Sequence, residues 1–179
     1  MGKSLTKRTL ESSLKSHTLT LTEAQEIFFQ AIPYLGLGKA EEMEEAVKPI
    51  LGTIPQEKES PAERLREGNQ AQVAIFGPAM ADFYTKSDVN RYLAEDCFGD
   101  YYTRPGLSLA RRELVTFALL AELGDVAPQL KAHIQANLNL GHSPEYLRKV
   151  VLIGIPTIGY PHALNALAAI KEVAEKEGK

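Results

Sequence analysis

The chain has 179 residues, of which 44% are apolar and 24% are charged, and its formal net charge at pH 7 is -3. This length and composition suit one globular domain, or one domain with an added half, and allow a sizeable core to be buried. The slightly acidic balance excludes the broad basic surface that nucleic acid or anionic lipid requires, so we expect neither partner.

The chain contains one cysteine, Cys97. An intrachain disulfide is therefore excluded, and a reducing compartment fits best. The first twenty residues hold no apolar run long enough for a signal peptide, and no later segment approaches the length of a membrane span. We expect a cytoplasmic protein with no membrane partner.

The first half of the chain has three predicted helical regions. Two helices within residues 20–51 are separated by a proline break and a glycine turn. The charged, Pro-containing stretch 54–61 predicts a linker. Helices are then predicted over Ala62–Phe76 and Val89–Phe98, with a turn around 86–88 between them.

The second half continues the helical pattern. Apolar residues crowd one wide face of the segment 107–123, which we predict as a largely buried helix with Ser108 as its N-cap. Further helices are predicted over 127–140, from Ser143 to Ile155, and from His162 to Lys176, with breaks at 156 and 159–161. No segment alternates apolar and polar residues for long enough to predict a strand, so the expected fold class is all-α.

An internal repeat relates two of these regions. A shift of 123 positions superposes six identical residues of each copy, namely Ile32, Pro33, Gly36, Ala40, Ala46 and Lys48 on Ile155, Pro156, Gly159, Ala163, Ala169 and Lys171. Helix, proline break, glycine turn and helix therefore occur twice. Chance similarity of two amphipathic hairpins stays open as the alternative.

Four segments beyond Arg64 follow one another as an ordered set of motifs: FGDYYTRPGLS (98–108), RRELVTFALLAELG (111–124), QLKAHIQANLNLG (129–141) and the turn around Gly159. With these segments in order and at compatible spacing, the chain from Arg64 onward resembles the carboxymuconolactone decarboxylase family nearly end to end. The resemblance implies an all-α, alkylhydroperoxidase D-like domain at 62–179, preceded by a helical half-repeat and linker at 1–61. It also implies association into homo-oligomers.

Four residues match functional positions of that family. The family reaction removes a carboxylate from a small unsaturated lactone with neither metal nor organic cofactor, and we expect none here. By this resemblance Arg104 and Arg112 would bind the carboxylate of a small-molecule substrate, and His133 and Glu95 would move protons. The open alternatives are structural salt bridges for the arginines and a hydrogen-bonded core position for the histidine.

Peroxide reduction, the activity of the alkylhydroperoxidase D-like branch, is disfavoured. That branch uses a glutamate, a Cys-x-x-Cys pair and a histidine, but counting from Glu113 reaches Asp125 and Pro128 at the cysteine positions. Dithiol turnover therefore lacks its reagents. We expect Cys97 to be a packing residue.

The chain also departs from the decarboxylase pattern. Gln72 and Val73 stand where decarboxylases tend to have a basic pair, and Ile153 and Thr157 stand where they have a histidine and a tyrosine. At the corresponding repeat positions the first copy has Gln30 and Tyr34. Two hypotheses follow. The protein is a cofactor-free lyase with a closed polar pocket, or a non-catalytic or regulatory oligomer whose polar residues are paired with one another.

Overall fold

The computed structural model describes residues 3–52 and 60–178, which are mainly helical and contain no β-strand. The all-α prediction is confirmed. The α-helices are Lys3–Lys15 (α1), Leu21–Leu35 (α2), Leu37–Leu51 (α3), Pro61–Phe76 (α4), Asp88–Tyr92 (α5), Leu109–Leu123 (α6), Ala127–Asn139 (α7) and Pro144–Lys176 (α8). Two short 3-10 turns, Pro78–Met80 and Phe83–Thr85, precede α5, and a π-helix, Leu93–Tyr102, continues it.

Short polar side chains mark where the helices begin. Ser108 and Ser143 accept hydrogen bonds from backbone N–H groups of the first turns of α6 and α8, as the sequence predicts. At α4, Ser60 and Glu63 form a reciprocal capping box. Ser60 and Pro61 therefore initiate a helix, whereas the pattern places them in the linker. Residues 53–59, which make up most of that predicted linker, lie outside the described part of the chain.

Helix α8 is broken at a single residue. Gly159 has φ 77° and ψ 162°, a conformation open in practice to glycine alone, and it divides α8 into two helical arms. The predicted break at Pro156 is wrong, because the helix continues through it. Pro156 lies on the exposed side of α8, where the carbonyl that loses its helical donor stays close to water.

The turn between α2 and α3 has the same backbone geometry. Gly36 has φ 77° and ψ 158°, nearly the values of Gly159, and α2 likewise contains a proline, Pro33, just before its end. The two hairpins that the repeat relates therefore turn in the same way.

Helix α4 and the π-helix approach each other unusually closely. A Cβ atom on Gly68 would lie 1.9 Å from the carbonyl oxygen of Ala94, and one on Gly99 would lie 2.4 Å from that of Arg64. Only glycine fits at either position. The predicted helix over Val89–Phe98 thus becomes α5 followed by a wider π-helix that extends to Tyr102.

Three apolar clusters form the core. The largest joins α6, α7 and α8, a second joins α4, the π-helix and α7, and a third lies within the N-terminal half-repeat between α2 and α3 with α1 against it. Helix α2 also packs on α6. Polar residues of α2 consequently contact polar residues of the domain at 62–179, which is the second module, where these two helices pack.

Candidate active site

Glu26 of α2 joins the two arginines that the sequence analysis assigns to carboxylate binding. Its carboxylate accepts hydrogen bonds from Nε and Nη2 of Arg104 at 2.9–3.1 Å and from Nη2 of Arg112 at 2.8 Å. Arg112 is fully buried, and desolvation lowers the pKa of its guanidinium, while the bond to Glu26 opposes that shift. The arginines do come together, but a carboxylate of the chain itself lies between them.

A chain of side-chain hydrogen bonds leads inward from this cluster. Gln30 accepts from Nη1 of Arg112 at 3.2 Å and donates to the hydroxyl of Thr116 at 3.1 Å. The Thr116 hydroxyl shares a 2.9 Å bond with that of Tyr102, which shares a 2.6 Å bond with that of Tyr34. Polar groups of the half-repeat and the second module thus form one connected network.

His133 forms a buried pair with Glu113. Its Nδ1 lies 2.6 Å from Oε2 of Glu113, which is fully buried, and His133 itself keeps only 9% of its accessible surface. The side-chain amide of Asn137 donates to the carbonyls of Glu113 and His133 and so fixes α7 against α6. Because Nδ1 faces Glu113, Nε2 is the nitrogen left to exchange a proton with a ligand.

Two aromatic rings enclose the imidazole. The Tyr34 ring meets the His133 ring edge to face at 5.7 Å between centroids, and the Phe76 ring does so at 5.5 Å. Tyr34 belongs to the half-repeat and Phe76 to α4. The surroundings of His133 are therefore assembled from both parts of the chain.

Glu95 lies in a different environment. Its carboxylate accepts a bond from Nη2 of Arg64 at 3.1 Å and lies 3.7 Å from Nε of Arg91. Arg64 also bonds Asp96 and Asp100, so the π-helix gathers three acids around one cation of α4.

The four predicted site residues accordingly occupy three environments: Arg104 with Arg112, His133 by itself, and Glu95 on the α4 side of the π-helix. Sequence reasoning missed Glu26, and it missed Glu113 as the partner of His133. The signal for the first is weak: Glu26 and Gln30 are one turn apart on α2, whose other buried residues are apolar.

Some buried polar atoms near these groups lack a hydrogen-bond partner among the described residues. They are Oε1 of Glu113, Nε of Arg112 and both amide atoms of Gln72. A buried unpaired polar atom destabilises a fold by about 1–3 kcal/mol, so such atoms mark positions where a polar ligand or water would be favourable.

Two comparisons with known proteins bear on the family resemblance of the chain. Residues 87–172 match the model of the family described as "Carboxymuconolactone decarboxylase family". A 4-carboxymuconolactone decarboxylase of Acinetobacter baylyi (strain ATCC 33305 / BD413 / ADP1) is 26% identical over 124 residues, which cover 65% of this chain and 90% of the relative. The resemblance to the carboxymuconolactone decarboxylase family is thereby confirmed over residues 87–172.

The residues that depart from the usual pattern of carboxymuconolactone decarboxylases differ in burial. Gln72 is fully buried, whereas Ile153 and Thr157 are exposed on the outer side of α8. Gln30 and Tyr34, their repeat equivalents, take part in the buried network. At these two repeat positions α2 therefore carries polar side chains in the buried network, where α8 carries exposed side chains.

Thiol chemistry of the kind found elsewhere on this fold finds no support around Cys97. Burial raises the pKa of the Cys97 thiol to about 12, which keeps it protonated near neutral pH. Asp125 and Pro128 occupy the positions of the missing cysteine pair. Among the residues that the structure describes, no three His, Cys, Asp or Glu side chains cluster in a way that could hold a metal ion.

By length and composition, one helix among the described residues could cross a membrane, whereas the sequence analysis expected no segment of that length. It is α8, whose apolar window is only 17% buried. Gly159 divides it into arms over 144–158 and 160–176, each shorter than the roughly 20 residues that a span requires.

Proposed function

We propose that the protein is a cofactor-free decarboxylase acting on a small carboxylated lactone or a related acid, with His133 and Glu113 as its proton-transfer centre. The observation that carries the proposal is the buried Glu113–His133 pair, with 2.6 Å between Oε2 and Nδ1. The printed name of the Acinetobacter relative supports the reaction class.

The proposed chemistry needs a substrate with an electron sink. When the carbon–carbon bond to the carboxylate breaks, carbon dioxide leaves and the bonding electrons pass to a conjugated carbonyl, giving an enolate. Carbon then takes a proton from Nε2 of protonated His133, which solvent later restores. Glu113 stabilises the imidazolium and holds its orientation, as a buried acid does for a general acid or base.

Substrate binding involves the Arg104–Arg112 pair in this proposal. Arg104 and Arg112 already bind one carboxylate, that of Glu26, so their guanidinium groups are arranged for an anion of this kind. Buried Gln72 would meet a neutral hydrogen-bonding part of the substrate, since an amide both donates and accepts.

A second candidate function is a non-catalytic or regulatory scaffold. The observation that favours it is that all four predicted site residues already have an ionisable partner in the chain: Glu26 pairs with Arg104 and Arg112, Arg64 with Glu95, and Glu113 with His133. In this reading the polar residues hold helices in register and turn nothing over.

His133→Gln distinguishes the two candidates. A panel of carboxylated lactones and keto acids would first be screened by carbon dioxide release with the wild-type protein. If His133 transfers the proton, turnover in the variant falls by roughly 10²-fold, while the melting temperature barely moves because glutamine can still donate to Glu113.

The matched control is His142→Gln, which changes a histidine that bonds Asn137 and does not face Glu113. We expect it to keep full turnover. Unchanged turnover in His133→Gln, or no carbon dioxide release from any substrate in the panel, would favour the scaffold.

We further propose that the protein self-associates through the outer face of α8. Ile153, Tyr160 and Leu164 of α8 are 80%, 71% and 62% exposed, and large apolar side chains exposed in this way are typical of surfaces that oligomers bury. Light scattering at micromolar concentration should show more than a monomer, and Ile153→Lys should lower the measured mass. Leu37→Lys, at a residue 71% exposed on α3, is the control and should leave it unchanged.

A further inference from the structure

Helix α2 presents an inward polar stripe made of Glu26, Gln30 and Tyr34. These residues are spaced four apart and so lie on one side of the helix. Each bonds to a side chain of the second module, and Glu26 and Gln30 are almost fully buried. Buried polar contacts of this kind usually stabilise a fold no better than a well-packed apolar stripe would. Their presence points to a role in arranging the groups they touch.

The second copy of the hairpin carries no such stripe. The repeat places Lys149, Ile153 and Thr157 at the equivalent positions of α8, and all three are exposed. The polar stripe is therefore a property of the half-repeat alone.

Tyr34 is the member of the stripe that reaches the proton-transfer pair. Its hydroxyl is held by that of Tyr102 at 2.6 Å, and Tyr102 is anchored in turn by Thr116 at 2.9 Å. Burial raises the pKa of the Tyr34 phenol well above its usual value, so the group stays neutral across the working pH range. The ring itself packs edge to face against the His133 ring.

His133 is thus held on three sides. Glu113 bonds Nδ1, Phe76 packs on one side of the ring, and Tyr34 packs on another. Without Tyr34 the imidazole would keep its bond to Glu113 but gain freedom to tilt and rotate. A loss of orientation of about 1 Å at a reacting group can lower a rate by about 10²-fold.

We propose that the half-repeat completes the site in cis, with Tyr34 as a positioning residue that holds the His133 imidazole in the orientation set by Glu113. The catalytic consequence rests on the proposed function above, whereas the orientation itself does not. Tyr34 touches His133 through its ring, so the ring is the required part and the hydroxyl serves to anchor it.

The test uses the ring-nitrogen spectrum of His133 in the full-length, ¹⁵N-labelled protein, with no ligand added. The chain has four histidines, which single His→Gln variants assign. In the wild type and in Tyr34→Phe we expect one sharp His133 pattern, with Nδ1 bearing the proton shared with Glu113. In Tyr34→Leu we expect that pattern to broaden or to become a mixture of tautomers.

Activity gives the second measurement. For any substrate found in the carbon dioxide screen, Tyr34→Leu should lower kcat by roughly 10- to 100-fold with KM little changed, because orientation rather than binding is lost. Tyr34→Phe should restore most of the rate. The control is Phe28→Leu, which removes aromatic bulk from the core of the half-repeat, where it should leave both the His133 pattern and kcat unchanged.

The outcomes separate this proposal from the proposed function. A Tyr34→Leu variant with a wild-type His133 pattern overturns the positioning role. A disturbed pattern together with His133→Gln that turns over normally keeps the positioning role and rejects the catalytic assignment. If Tyr34→Leu does not fold, Tyr34→Met refills the space without an aromatic face, and the same two results decide the matter.

Discussion

The hairpin formed by α2 and α3 and the hairpin formed by α8 have the same turn and opposite surroundings. Gly36 and Gly159 share one backbone conformation, yet the equivalent helix faces differ, since one is buried and polar and the other is exposed and partly apolar. Equivalent positions in the two hairpins therefore give the same backbone geometry. The side chains at those positions decide what each hairpin packs against.

Reversing the charge of Glu26, the first residue of the stripe, should have the largest effect on the free energy of unfolding. Glu26→Lys copies the residue that the repeat places in α8 and sets a third cation beside Arg104 and Arg112. Removal of the acid from this buried cluster should destabilise the fold by about 3–5 kcal/mol, measured by urea unfolding. Glu44→Lys, on the exposed side of α3, should change stability by less than about 1 kcal/mol. A loss of similar size in both variants would show that the buried pairing is unimportant.

Exchanging the residues at the second position of the stripe, Gln30 in α2 and Ile153 in α8, should change stability by unequal amounts. Gln30→Ile leaves the hydroxyl of Thr116 without its donor and removes an acceptor from Arg112, which should destabilise the fold by about 1–3 kcal/mol. Ile153→Gln, the reverse change at the repeat position, should alter monomer stability by no more than about 0.5 kcal/mol because Ile153 is exposed. Thermal unfolding at low protein concentration compares the two, and equal losses would contradict the asymmetry.

The glycine turns should respond alike. A Cβ added at Gly36 meets nothing within 4 Å, and one at Gly159 comes no nearer than 3.9 Å to Pro161, so backbone strain rather than a clash determines the effect. Gly36→Ala and Gly159→Ala should each destabilise the fold by at least about 1 kcal/mol. Denaturant midpoints measure both changes. A marked difference between them would mean that the two turns are not equivalent.

The smallest expected effect concerns an ion pair found in the second copy only. Glu172 accepts bonds from Lys131 and Lys176, which lower the pKa of its carboxyl from 4.5 to about 2. A depressed folded-state pKa contributes stability above pH 4.5 that is lost as pH falls toward 2. The melting temperature of Glu172→Gln should therefore lie slightly below that of the wild type at pH 7 and equal it near pH 2. Pro49 occupies the repeat position and cannot form this pair.

Part of the candidate site could be predicted from the sequence. Arg104, Arg112 and His133 are predicted from family motifs, and the structure buries or half-buries all three. Glu26 could not be assigned in the same way, because its partner Arg112 lies 86 positions away and only the docking of α2 on α6 joins them. The Glu113–His133 pair likewise depends on the packing of α6 against α7, which periodicity does not specify.

Helix boundaries were predictable where local chemistry decides them. Ser108 and Ser143 start helices because a short side chain satisfies a free backbone N–H, and Gly159 ends one because only glycine adopts its conformation. The prediction was wrong at Pro156, where the helix continues, and in the segment 93–102, where a π-helix forms against α4. Both depend on what surrounds the segment.

The sequence by itself determined the helical class and the resemblance to the family, because these depend on periodicity, caps and ordered motifs within short stretches of chain. Tertiary structure alone decided which polar groups meet. Side chains far apart in sequence, such as Tyr34 and His133, come together only when the half-repeat docks on the second module. Burial strengthens the interactions between these side chains, since hydrogen bonds and charges interact more strongly away from water.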